Sequence, residues 1–288
     1  MPSPVDESEL RWPWDRPISV LTVLLNFGLI AAAILLVAYG SQWMESYPFL
    51  AKRIEQLRVV AIAAIVALPG VVILRNARRG NIRGNSVRVS RDQFPEIYGI
   101  LERQCQKLGV TKLPELYLSD ASDESHAFSA WSRNYIVLGT DYLGPVQESL
   151  GTIEFFLGRQ IGAMRLGYAK WWNELLMWYV LKLPLISLPV RKARVLSQDR
   201  YGAFLAGGSI RPLIVLVTGR LLSRAVNVDG YLDQVGKYGG LWDRVGAWTA
   251  KAPPLARRVK ALQEAGLLRE EPEGSASVHT VSDAVRGS

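Results

Sequence analysis

Few residues in this chain can do polar chemistry. There are two histidines, His126 and His279, and one cysteine, Cys105. A catalytic zinc needs three imidazole, carboxylate or thiolate donors converging on one ion, with a fourth position open to water. His279 lies in a polar tail, His126 stands well upstream of the next feature, and Cys105 has no C-x-x-C partner. That next feature is IEFFLGRQIGAMRLGY, Ile153–Tyr168. Arg159 carries a permanent charge and cannot ligate a cation. Gln160 has no oxygen basic enough to take a proton from water. Ala163 has no donor atom. These three side chains offer no hydrolytic chemistry.

The element that positions them is a helix. Ile153, Phe156, Leu157, Ile161 and Met164 recur at helical spacing and form one apolar face. Gly158 and Gly162 lie four apart and would admit a close neighbouring backbone. An ordinary core helix satisfies this pattern without any site.

The flanking landmarks add a second reading. NSVRVSRDQFPEIYGILERQCQKLGV (Asn85–Val110) reads as a strand and a helix, and PELYLSD (Pro114–Asp120) as a strand. HAFSAWSRNYIVLGTDYLG (His126–Gly144) carries a further strand and a turn into the helix above. RKARVLSQDRYGAFLAGG (Arg191–Gly208) contains Asp199-Arg200, and APPLARRVKALQEAGL (Ala252–Leu267) closes the series. In that order, from about Asn81 to Leu267, these segments resemble the gluzincin membrane peptidases of the HtpX and CAAX prenyl protease type. Those enzymes carry H-E-x-x-H on the central helix, a third ligand on a later one, and a final H-P-P-L motif.

The resemblance includes the frame and lacks the reactive atoms. Arg159, Gln160 and Ala163 stand where the family has His, Glu and His. Val195 stands where the ligand glutamate would lie, four residues before Asp199, and Ala252 replaces the closing histidine. The resemblance implies an α+β, mostly helical fold: a zincin-like domain with a small sheet, preceded by a transmembrane hairpin. It implies a cleft between an edge strand at Tyr135, Ile136, Val137, Leu138 and Gly139 and the former zinc helix. Arg159 is expected either to fill the vacated metal position and pair with Asp199 or to point to solvent. No cofactor, metal or catalytic residue is expected.

At 288 residues the chain is 49% hydrophobic with a net charge of +8. Long apolar runs beside basic clusters favour an anionic membrane surface over nucleic acid, for which no binding motif is present. Ile18–Tyr39 is uncharged over 22 residues, about 33 Å as a helix and enough to span a bilayer. A cleaved signal peptide would have a shorter core and a basic leader, and the leader here contains DESE. Val59–Leu74 is shorter and holds Pro69-Gly70, expected to kink it. It is a second span, or a re-entrant or buried helix. Arg75, Arg78, Arg79, Arg83, Arg88 and Arg91 follow, which by the positive-inside rule puts the large domain in the cytoplasm, on the inner membrane.

The expected organisation is therefore a leader (1–17), a hairpin (18–74), a degenerate peptidase-like domain (75–267) and a disordered tail (268–288). Within the domain, Trp171–Val190 is apolar but interrupted by Glu174, Lys182, Pro184 and Pro189. It lies at the bilayer surface, packs between span and domain, or is plain core. Ser209–Arg224 reads as a helix broken near Pro212. The implied role is a non-catalytic binding, scaffold or accessory subunit in a membrane complex. The alternative is an active zinc peptidase with ligands elsewhere.

Overall fold

The computed structural model describes residues 7–120, 126–130, 133–140 and 146–269. The first six residues of the leader and nearly all of the tail lie outside them. The protein is mostly helical, with one four-stranded sheet.

Helix α1 (Glu7–Leu10) precedes α2 (Asp15–Ser46), which a 3-10 turn (Pro48–Leu50) joins to α3 (Ala51–Asn85). These two helices pack along each other as a hairpin. Both outrun the apolar segments that suggested them. Apolar sequence marks the stretch suited to lipid, whereas backbone hydrogen bonds continue the helix past it. Helix α3 runs on through Pro69. Helix α2 is apolar on the outside and polar on the inside: Asp15, Thr22 and Asn26 are buried, while Val20, Leu24, Phe27 and Ile34 are exposed. On α3 the exposed residues include Val59, Val60, Val66, Ile73 and Leu74. Among the described residues, α2 is the one helix long and apolar enough to cross a membrane.

The domain begins with β1 (Val87–Arg88), α4 (Pro95–Lys107), β2 (Glu115–Ser119), β3 (His126–Ala130) and β4 (Arg133–Gly139). The sheet order is β1-β2-β4-β3. Strand β2 pairs in parallel with β4, and both outer strands are antiparallel to their neighbours. This corrects one expectation. Tyr135, Ile136, Val137, Leu138 and Gly139 form an interior strand, not a cleft edge, and all five are buried. An uninterrupted apolar run of this kind suits a strand covered on both faces. The edge is β3. One sheet face joins the main core through Leu116, Leu118, Ile136 and Leu138. The other holds Tyr117, Phe128, Tyr135 and Val137, with Ile82 of α3 packed against them.

Helix α5 (Val146–Arg165) lies against β3, β4 and α4. Then follow α6 (Trp171–Leu176), α7 (Trp178–Lys182), and α8 (Pro184–Leu205), which is the partner of α5. Segment 171–190 thus packs between hairpin and domain. Tyr179 donates its backbone N–H to Asn26 of α2 at 3.0 Å, and its hydroxyl to the Ala64 carbonyl of α3 at 2.9 Å. Helix α9 (Arg211–Leu222) is not broken at Pro212, which occupies its first turn, where a missing N–H costs nothing. The irregularity falls at Gly219, with φ at 71°. Helices α10 (Val228–Lys237), α11 (Leu241–Thr249) and α12 (Leu255–Glu264) complete the domain.

Candidate functional site

The site is built where α5 crosses α8, and glycine sets the distance. A Cβ on Gly162 would lie 2.5 Å from Cβ and Cγ of Tyr201, and one on Gly158 would lie 3.2 Å from the Gly202 Cα. A Cβ on Gly202 would lie 2.7 Å from Arg159 Cγ and 2.8 Å from the Phe155 carbonyl oxygen. A methyl would collide at Gly162 and Gly202 and would be tight at Gly158. The spacing of Gly158 and Gly162 therefore does report a close backbone approach.

The crossing brings Arg159 of α5 beside Asp199 of α8, with Nε 2.9 Å from Oδ1. Of the two expectations for Arg159, the paired one holds. A second guanidinium joins them. Arg258 of α12 donates from Nε to Asp199 Oδ2 at 2.6 Å and from Nη2 to Oδ1 at 2.7 Å. Asp199 and Arg258 are both buried, so the carboxylate is enclosed by its partners. A two-pronged guanidinium–carboxylate contact is among the stronger charge-assisted hydrogen-bond geometries. One carboxylate and two guanidiniums meet here in a largely buried space. The cluster ties α5, α8 and α12 together.

The other positions named from sequence lie on the same crossing. Gln160 and Ala163 are buried on α5, and Val195 is half-buried on α8 one turn before Asp199. Cys105 is buried on α4, and burial pushes its thiol up to about 12. Among the described residues, no three His, Cys, Asp or Glu side chains gather as metal ligands would.

Strand β3, the true edge beside α5, is partly occupied from within. The Ser129 N–H donates to the Ala169 carbonyl at 2.8 Å, just beyond the end of α5. A backbone donor near the C-terminal end of this edge is engaged by the chain itself.

A second polar centre, which the sequence did not reveal, joins hairpin to domain. The Asp15 carboxylate, at the start of α2, accepts from Arg11 Nε and from the Tyr168 hydroxyl, both at 2.5 Å. Burial first, then the charge and hydrogen bond of Asp15, push the Tyr168 hydroxyl well above its usual range. The Arg194 guanidinium stacks 4.9 Å from the Tyr168 ring centroid, and its Nη2 donates to Asn173 Oδ1 at 2.6 Å. The Trp12 N–H donates to Ser197 Oγ at 3.2 Å. A lone carboxylate just before an uncharged run was the one available signal, because its tyrosine partner is 153 positions away. Arg258 was visible only as one residue of the closing motif. Nothing in its spacing announced Asp199 as its partner.

Comparison with protein-family models, with curated proteins and with solved structures returns no match for this chain.

Proposed function

We propose that this protein is a membrane-anchored, non-catalytic relative of the zincin-like membrane peptidases, acting as a binding, scaffold or accessory subunit in a membrane complex. The observation that carries the reading is the Arg159–Asp199–Arg258 cluster. At the position where the resemblance implies a zinc ion, the chain supplies one carboxylate flanked by two guanidiniums. Val195 and Ala163 supply no donor, and Gln160 supplies no base.

The membrane part of the reading is supported by α2. Its protein-facing side is polar and its outer side apolar, the reverse of a helix made for water. Helix α3 carries exposed apolar residues along the same hairpin, which favours two spans. The arginines after Leu74 favour a cytoplasmic domain at an inner membrane. Contacts with a partner are better assigned to the Trp-rich surfaces than to strand addition at β3, because Ala169 already engages Ser129.

The test is restoration. The wild-type protein, purified in detergent, is expected to hold no stoichiometric zinc and to cleave no peptide in a chelator-sensitive way. The combined variant Arg159→His, Gln160→Glu, Ala163→His, Val195→Glu is expected to bind one zinc per chain. Stoichiometric zinc with chelator-sensitive cleavage in the wild type would overturn the non-catalytic reading. A folded variant that binds no zinc would overturn the zincin-like one. Crosslinking in native membranes then identifies the partner.

A further inference from the structure

We propose that α11 is a third point of attachment to the bilayer, its exposed face seated in the headgroup and upper acyl region of the leaflet that α2 enters at Ile18. The inference rests on the reading that α2 spans the membrane. It concerns a surface that the cluster at Asp199 does not use.

The face itself is the first observation. Leu241, Trp242 and Trp248 are 72%, 80% and 61% exposed, and Val245 lies between the tryptophans on the same side. Ala247 is buried on the opposite side, and α11 packs against α8. Two tryptophans, a leucine and a valine on one short helix form an apolar surface that water does not favour.

The second observation is the level at which this face sits. Helix α8 runs antiparallel to the start of α2. Ser197 meets Trp12 just before α2, and Tyr179, shortly before α8, meets Asn26 well inside the apolar run. Moving from Ser197 toward the start of α8 is therefore moving toward the membrane. Lys192 lies five residues in that direction, about 7.5 Å along the axis. Its ammonium donates to the Trp248 carbonyl at 2.6 Å. From Trp12 the chain makes one turn to Asp15 and then rises three helical residues, about 4.5 Å, to Ile18. The Trp248 end of α11 is thus held about level with the first residue of the uncharged run.

Other aromatic groups gather near that level. Trp14 is exposed at the start of α2, and Trp171 and Trp172 are exposed at the start of α6, whose Asn173 is tied to Arg194. At the far end of the hairpin Tyr39, Trp43 and Tyr47 are exposed. Aromatic residues at both ends of an apolar span mark the two membrane–water boundaries. Helix α11 extends the nearer ring sideways from the hairpin. The exposed Arg244 and Lys251 beside its tryptophans complement anionic headgroups. Lipid is therefore the occupant that both the position and the charge of this face fit.

The experiment uses the full chain in bilayers of phosphatidylcholine and phosphatidylglycerol. Single cysteines are introduced as Leu24→Cys, Trp242→Cys and Trp248→Cys and spin-labelled. Cys105 can remain, since its buried thiol, raised to about 12, does not compete for label. Collisions with dissolved oxygen, which concentrates in lipid, are compared with collisions with a water-soluble nickel chelate. The expected result is oxygen preference at all three positions, with 242 and 248 shallower than 24. Nickel preference at 242 and 248, with oxygen preference at 24, would overturn the inference and leave the span intact. Labels at 242 and 248 shielded from both reagents would overturn it in favour of a protein partner or a second copy. Nickel preference at 24 would remove the spanning reading on which it rests.

Discussion

Helices α2 and α5 both pack against α8, and they bury different kinds of side chain. From α5 the buried side chains include Ile153, Phe155, Phe156, Leu157 and Ile161. From α2 they are Asp15, Thr22 and Asn26. Outward, the pattern inverts, with apolar groups exposed along α2. A helix folded in water hides its apolar face. A helix folded in lipid has no reason to, and reserves its inner face for groups that need a hydrogen-bond partner. One helix, α8, is therefore the seam between two kinds of buried surface. The polar contacts along it are sorted accordingly, with the ion cluster at Asp199 on the domain side and the Asp15–Tyr168 centre at the junction.

The sharpest way to break the domain side is Asp199→Ala. It would remove the carboxylate that Arg159 and the buried Arg258 share, and stripping one partner from a buried pair costs about 3–5 kcal/mol. The expected outcome is a large drop in the thermal midpoint of the detergent-solubilised protein, or no folded protein at all. An unchanged midpoint would mean that the cluster holds nothing together. The matching test of the lipid side is Phe27→Lys, at an exposed position near the middle of the apolar run. A lysine there costs about 2.5–3.5 kcal/mol on membrane insertion, whereas an exposed site in water tolerates such a change within about 0.5 kcal/mol. A membrane-integration assay separates the two, and undiminished integration would place α2 in water.

The seam is next probed by Gly202→Ala. The added methyl would meet Arg159 Cγ and the Phe155 carbonyl well inside contact distance. Overpacking of this kind costs about 1–3 kcal/mol. Arg159→Ala is expected to cost less than Asp199→Ala, because Arg258 still holds the carboxylate by two hydrogen bonds. Equal losses from the two would mean that Arg159, rather than Arg258, is the principal counter-ion. Denaturation midpoints of the three variants, measured side by side, decide the ranking.

What could be read from sequence divides along the same seam. Helix α5 and the core of α2 were legible because each has a one-sided or uninterrupted apolar pattern. The pairing of Arg159 with Asp199 was legible only through an ordered series of landmarks, and Arg258 not as its third member, because contacts across 59 positions leave no local period. Strand β4 was misread as an edge. Its run of five buried residues, Tyr135 to Gly139, fits a central strand, and the short HAFSA segment that covers it carries little pattern of its own. The Asp15–Tyr168 contact was invisible for a further reason. A carboxylate beside an apolar run reads as a helix start, and nothing local says that it faces inward.

The smallest expected effect lies at the sheet's outer end and is set by pH. Glu115 accepts from Arg133 at 2.6 Å and from the Tyr117 hydroxyl at 3.0 Å. Burial alone would raise its carboxyl, but the hydrogen bonds from Arg133 and Tyr117, together with the charges of Arg88 and Arg133, outweigh burial and hold it below its ordinary value. A carboxyl that binds its proton less readily when folded stabilises the fold above its unfolded value, about 4.3. That contribution is lost as pH falls through the lower, folded value. Between about pH 6 and 3 the thermal midpoint of the wild type should therefore fall more steeply than that of Glu115→Gln, which has no carboxyl to protonate there. Identical slopes would show that the Arg133 contact, whose guanidinium is well exposed, is screened to insignificance. The ionic interactions that matter would then be the enclosed ones along α8.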